Sequence, residues 1–429
     1  MNDTQRKIQP NIQPIQTNFI LQAENFRLNN HIPVYAIHSG TEEIVKIDLL
    51  FRAGNWYQPK PLVATASNEM LQEGSKKYSS EEIAKHMDYY GALLSMNTNK
   101  DVGFITLLTL KKYLKETLAM LMDIITQPDY PPDELETYIN QKKQDFLLEQ
   151  AKVKNLSRRK FNEALFGTHH PYGKMLQLED HNNLIRDDLV QFHQNHYHPS
   201  NCEILLTGKI DHTVYQVIKE IMGKSQWAGK QPTHAPDFAP FTTQETEIFT
   251  PVDHAVQSAI RIGKIMFGKH HPDYPGLQVV NTLLGGYFGS RLMKKIREEK
   301  GYTYGIQSML VPLVNEGYFV IGSEVGSGVC RKAISAIYEE IKKLRTDKVK
   351  AEELTMVKNY MMGQLMRAFD GPISLSGTYL ALMELRLKED YYQQVIHTIK
   401  NISAEDILEL ANKYLNEEDM IRSVAGKCE

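Results

Sequence analysis

The chain has 429 residues, 42% of them hydrophobic and 24% charged. That is enough apolar mass for real cores and too much for wholesale disorder. A net charge of -3 leaves no basic excess for a general nucleic-acid binder, and no apolar run approaches the roughly 18 residues of a membrane span. At roughly 150 residues per domain the length allows two domains, or three.

Residues 1–20 are polar, with two prolines and no apolar core, and read as a flexible arm rather than a secretory signal. NHIPVYAI, a turn at Ser39-Gly40, and EIVKIDLLFRAG read as two strands. Residues 62–73 carry a helical pattern, and Ser79-Ser80 followed by Glu81-Glu82 signals a helix start. ALLSMNTNKDVGFITLLTL alternates like two strands around an Asn-rich turn. Leu114, Leu118, Leu121 and Ile125 recur at helical spacing within 113–126, and 134–165 reads as one long helical region. The span 225–246, with three prolines and few aliphatics, reads as an interdomain linker.

An internal repeat organises the rest. DDLVQFHQNHYHPSNCEILLTGKI (187–210) resembles EDILELANKYLNEEDMIRSVAGKC (405–428), aligning Tyr197 with Tyr414 and Gly208 with Gly426. PPDELETYINQKK matches KAEELTMVKNYMM, with Leu135 against Leu354. The expectation is an α+β protein of two homologous α/β units, 21–224 and 247–429, enclosing a cleft.

Three cysteines, Cys202, Cys330 and Cys428, lie far apart and form no Cys-x-x-Cys pair. They predict no disulfide framework, which fits a reducing, cytoplasmic setting. His193, His196 and His198 sit near the end of a closing helix and read as solvated side chains rather than metal ligands. The doublets His169-His170 and His270-His271 point apart and make poor chelators.

The segment LLGGYFGSRLMKKIREEKGYTYGIQS (283–308) is the richest in chemistry. Its glycines lack the spacing of a nucleotide loop, and no Lys-Ser/Thr follows in register. Arg297 near the end of a basic helix and Tyr304, past Gly301, combine a planar multi-donor guanidinium with a phenol on a stiff ring. As chemistry alone they read as an exposed arginine and a half-buried tyrosine. As a pair they have the donors to clamp a carbonyl oxygen or the oxyanion formed on its attack. Tyrosines, 22 in all, outnumber Phe and Trp together, and Tyr287, Tyr302 and Tyr304 are the ones placed near a peptide.

This segment resembles the C-terminal-domain signature of the pitrilysin/insulinase family (peptidase family M16) of zinc peptidases. LLFRAGNWYQPKP, EMLQEGSKKYSSEEIAKHMDYYGALLSMNTNK, HPYGK (170–174) and FHQNHYHPSNCEILLTGKID are similar to that family's first domain. The resemblance covers roughly residues 30–429. It implies the clam-shaped, duplicated fold of the mitochondrial processing peptidase.

Active members carry H-x-x-E-H just before the segment reading MLQEGSKKYSS here. Two histidines at i and i+4 bind zinc, and the glutamate activates the bound water. This chain has Thr65 and Glu69 in place of the histidines and Asn68 in place of the base. The third ligand position falls on Glu149 or Gln150, with Gln150 favoured. Asn has no basic group, and one carboxylate does not close a site that takes three protein ligands.

The resemblance therefore implies a non-catalytic, substrate-binding subunit that holds no cofactor itself. Zinc would sit in a homologous partner bearing H-x-x-E-H, and this chain would be inactive alone. Arg297 and Tyr304, with Tyr302, Gly286 and Tyr287, would meet an extended or unfolded peptide. The rival expectations are a structural core-type protein, a self-associating peptide-sequestering protein, and a metalloenzyme with a displaced site.

Overall fold

The structure is a computed structural model that describes residues 22–223, Trp227, Phe238 and 245–428. The arm expected over 1–20 lies outside the described residues, as does most of the expected linker.

The first half runs β1 (Glu24–Arg27), β2 (Pro33–His38), β3 (Ile44–Phe51), α1 (Val63–Glu69), α2 (Ser80–Tyr90), β4 (Leu93–Thr98), β5 (Gly103–Leu110), α3 (Leu114–Thr126), α4 (Pro132–Gln150), α5 (Val153–Phe166), α6 (Leu178–Asn182), α7 (Arg186–His196), β6 (Cys202–Gly208) and α8 (His212–Met222). The second runs β7 (Glu247–Pro251), β8 (Gln257–Met266), α9 (Tyr274–Asn281), β9 (Thr303–Pro312), β10 (Gly317–Gly326), α10 (Cys330–Thr346), α11 (Ala351–Ala368), α12 (Gly371–Glu384), α13 (Tyr391–Asn401), α14 (Ala404–Tyr414) and β11 (Ile421–Gly426). Two π-helical turns, Thr282–Gly286 and Met293–Glu299, lie between α9 and β9.

The sheets repeat one another. The order is β1-β2-β6-β3-β5-β4 in the first half and β7-β11-β8-β10-β9 in the second. In each, the last strand of the half inserts parallel to the first strand of the repeated unit (β6 on β2, β11 on β7) and antiparallel to the next one. The repeated glycines close equivalent strands: Gly208 has φ +118° and Gly426 +127°, a region that favours glycine. Sequence neighbours β2 and β3 are therefore not sheet neighbours, because β6 lies between them. The helical region expected over 134–165 consists of two helices, α4 and α5, with a break at Ala151–Lys152.

That break lets α5 leave its own half. α5 packs on β8 and β11 of the second sheet, while α12 packs on β6 and β3 of the first. Polar groups fix both crossings. Ser157 on α5 and Ser423 on β11 are wholly buried, and each hydroxyl donates to the other's carbonyl at 3.1 Å. Asp48 on β3, also wholly buried, accepts from Lys46 Nζ (2.5 and 2.6 Å), Thr106 Oγ1 (2.6 Å) and Ser376 Oγ of α12 (2.5 Å). Arg52, just after β3, donates to the carbonyls of Met383 (2.8 Å) and Glu384 (2.7 Å) and so caps the C-terminus of α12 with positive charge. Trp56, Phe161, Phe166 and Tyr172 of the first half share an apolar cluster with Val320 and Ile421 of the second.

Two expectations are corrected here. Cys330, at the start of α10, and Cys428, just after β11, form a disulfide across 98 positions, with Cα atoms 5.1 Å apart. Sequence distance hid a proximity that the sheet topology creates. His193, His196 and His198 are buried rather than solvated. His193 Nε2 meets the Ile125 carbonyl at 2.8 Å and its ring stacks on Tyr197, while the His196 ring packs on Phe192. Desolvation pulls both imidazoles down to about 4, only partly opposed by their backbone hydrogen bonds.

Because the unfolded chain binds protons at about 6.5, stability is full above that pH. It falls as pH drops toward 4, by roughly 1.4 kcal/mol per unit for each imidazole. Urea unfolding between pH 7.5 and 4.5 should show this slope, and a His193→Asn/His196→Asn chain should flatten it. Asp48→Ala should lose about 3 kcal/mol or more by the same measurement, because it strands Lys46 beside the α12 crossing. A Lys46→Met/Asp48→Leu chain should lose far less.

Candidate functional site

The degenerate motif lies on α1, a helix entered through Leu62 in the left-handed region (φ +72°). Helical spacing puts Thr65 and Glu69 on one face. Thr65 lines a cavity of about 740 Å³ together with Glu149 and Gln150, so both candidate third positions stand near it. Glu69 is engaged: it accepts from Tyr138 Oη at 2.8 Å and pairs with Lys142 Nζ at 2.9 Å, both from α4. Asn68 points the other way. It is wholly buried and donates to Tyr197 Oη at 2.9 Å, where the missing side chain of Gly103 leaves room. Sequence reasoning missed Tyr138 and Lys142; their i, i+4 spacing within the helical region that also carries Glu149 and Gln150 was the available signal.

These residues do not fit a zinc ion. Thr65 and Gln150 are neutral oxygen or amide groups, and the Glu69 carboxylate already holds an ammonium. Among the described residues no group of three or more His, Cys, Asp or Glu side chains converges to hold a metal. Asn68 has no route to a proton in the cavity, since it is sealed in the core.

The second candidate surface is built around β9. Gly285 lies next to the end of a π-helical segment, where an added Cβ would come within 2.6 Å of the Ser308 backbone nitrogen, so the chain passes close to β9 only as glycine. The turn Met293–Glu299 follows, then Gly301 at φ +63°, then β9. Ser323 pairs with Ile306 and Val325 with Thr303, so Tyr304 and Gly305 together oppose Glu324 alone. That β-bulge interrupts the alternation and turns Tyr304 outward, 93% exposed. Hydroxyls pin the bulge: Thr303 Oγ1 donates to the Glu324 carbonyl at 2.6 Å, and Ser323 Oγ to the Gly305 carbonyl at 3.0 Å.

Tyr304, Gly286, Tyr287 and Phe288 line a cavity of about 630 Å³. Tyr287 rests on Tyr360 with ring centroids 4.9 Å apart, and burial raises its phenol above the ordinary range. Arg297 is half-buried, its guanidinium 4.6 Å over the Phe288 ring, so it stands behind one wall of this cavity. Tyr302 packs against the second-half core instead of the cavity. The structure thus gathers Gly286, Tyr287 and Tyr304 at one surface, sets Arg297 beside it, and directs Tyr302 away.

Installing the full motif as T65H/N68E/E69H should not create a zinc enzyme. Lys142 and Tyr138 would face the new ligands, and N68E would bury a carboxylate. Metal analysis after dialysis should find zinc well below one equivalent, and denaturation should show a chain several kcal/mol less stable.

Known proteins resemble the chain over most of its length. Residues 34–171 match the family described as Insulinase (Peptidase family M16), and residues 183–361 match the Peptidase M16 inactive domain. An uncharacterized zinc protease, YmxG, of Bacillus subtilis is 21% identical over 399 residues, covering 92% of this chain and 96% of that protein. The solved peptidase M16 inactive domain from Pseudomonas fluorescens superposes with a TM-score of 0.86 at 22% identity, over 95% of this chain and 98% of that one. A chain of complex III2 from Candida albicans does so with a TM-score of 0.74 at 15% identity, over 94% and 96%. Two homologous mixed α/β halves and both family matches lead to one assignment: the chain belongs to peptidase family M16.

Proposed function

We propose that this chain is the non-catalytic, substrate-binding subunit of a heteromeric zinc peptidase. A homologous partner carrying H-x-x-E-H would hold the metal, and this chain would present Arg297 and Tyr304 to the peptide bond under attack. The observation that carries the reading is an asymmetry between the two surfaces. The α1 positions are tied up or buried, with Glu69 on Lys142 and Asn68 on Tyr197, whereas a bulge turns Tyr304 into an open cavity.

β9 is the last strand of its sheet, and an extended peptide would pair with it through main-chain hydrogen bonds where Met293, which takes the Ile306 N–H, and the Gly285 segment do not cover its edge. Tyr287 and Phe288 supply apolar surface beside that edge, and Gly286 lets a backbone approach. The partner's zinc would supply the activated water. This chain's part is to hold the carbonyl and to offer a guanidinium and a phenol as charge develops on its oxygen. No described helix is long and apolar enough to cross a membrane. The fold shared with a chain of complex III2 supports a second reading, a structural role without proteolysis.

Mixing the purified chain with an M16 protein that carries H-x-x-E-H, and following cleavage of an unstructured peptide, separates the two. Turnover only in the mixture is expected, and Arg297→Ala should lower its kcat by about 100-fold, the size of a lost oxyanion donor. A mixture that is inactive, or indifferent to Arg297→Ala and Tyr304→Phe, would leave the structural reading.

A further inference from the structure

The cavity beside α1 carries charge that neither the motif positions nor the Tyr304 surface uses. Its walls hold Lys60, Lys100, Arg158, Arg159 and Lys174 against the single carboxylate of Glu149, in a chain whose net charge is -3. Lys60 is neutralised by Asp188 at 2.5 Å. Glu149 is itself engaged, by Lys152 and by Asn155. The other four cations have no carboxylate within 4 Å among the described residues.

Two of the four are held in place by neutral acceptors. Arg159 donates to the Leu176 carbonyl at 2.7 Å, and Lys100 Nζ to the Pro171 carbonyl at 3.3 Å. These bonds orient the groups without discharging them. Burial pulls the Lys100 ammonium below its ordinary range, and the charge of Arg158 pushes the same way although Asp101 opposes it. Arg158 and Lys174 are exposed at the cavity's rim. Leu62, Phe146, Met175, Phe238 and Tyr318 supply apolar wall between the charges. Glu163, Glu149 and Asp101 act on Arg159, Arg158 and Lys100 from a distance, but cations with no carboxylate in contact around a concave, partly apolar space still favour an anion carried on an apolar body.

We propose that the cavity standing in place of a zinc site is an anion pocket that takes the side-chain carboxylate of an acidic, apolar-flanked segment of an extended peptide. The proposal rests on the peptide-binding part of the function above and not on a partner subunit. Arg158 and Arg159, one helical position apart on α5, offer planar donors that suit a carboxylate, and Lys100 lines the same cavity. A free inorganic anion would use the same donors, so the test includes it.

The test uses the whole chain alone, with a fluorescent unstructured peptide of apolar residues around one central Glu and its Gln counterpart. Fluorescence anisotropy should show the Glu peptide binding about tenfold or more tighter, with the gap closing in high salt. An Arg158→Gln/Lys174→Gln chain should erase the gap while leaving the urea midpoint unchanged, since both side chains are exposed. Equal binding of the two peptides overturns the anion pocket and leaves peptide binding standing. If neither peptide binds, but inorganic phosphate raises Tm in the parent chain and not in the double variant, the pocket serves a small free anion and the peptide assignment fails. No binding by any probe overturns the proposal and the peptide-binding reading together.

Discussion

The exchange of helices between the halves is the constraint on which the rest depends. Neither sheet is finished by its own half: α5 crosses to cover β8 and β11, and α12 crosses to cover β6 and β3. Such a crossing buries backbone and side-chain polar groups that must find partners inside. The reciprocal Ser157–Ser423 pair, the Asp48 cluster and the Arg52 cap on α12 meet that demand at three separate points. A duplicated domain often yields two modules on a string. Here the duplication yields one body, because each copy is missing a helix that the other supplies.

The same crossing places both candidate surfaces. α5 runs between them, contributing Lys154 to the cavity around Tyr304 and Arg158 and Arg159 to the cavity around Thr65. Arg158 also acts on Arg261 and on Tyr318, residues of the second sheet that line one cavity each. Whatever occupies one surface therefore meets a wall whose position is set by the packing of the other half. The identities of Thr65, Asn68 and Glu69 do not bear on this design, since none of the groups named as holding α5 and α12 is one of them.

Much of the fold was legible in the sequence. Period-two runs gave β3 to β5, the spacing of Leu114, Leu118 and Leu121 gave α3, and the repeat gave the equivalence of Gly208 and Gly426. What stayed hidden was non-local. No local pattern says that β6 slides between β2 and β3, that a helix breaks at Ala151 to cross over, or that Cys428 returns to Cys330. The histidines misled for a related reason: polarity suggests solvent, but the helix end that carries His193 is packed beneath Ile125 and Tyr197. For the sites, residue identity named Thr65, Asn68, Glu69 and Tyr304. Only the coordinates separate Asn68, sealed in the core, from Thr65 at a cavity wall, or Tyr302, packed inward, from Tyr304.

The bulge in β9 has a consequence for how this surface can change. Along an unbroken strand the inward and outward positions are locked in phase, so altering the spacing at a strand's tip would turn its buried face to water. Here Thr303 and Ile306 are both buried with two exposed residues between them, and the core positions Ile306 and Ser308 take their phase from the pairing beyond the irregularity. The tip of the strand is thereby uncoupled from its body. Residues 304 and 305 are free to be exchanged for other chemistry over evolutionary time while the hydrophobic interior beneath keeps its own alternation.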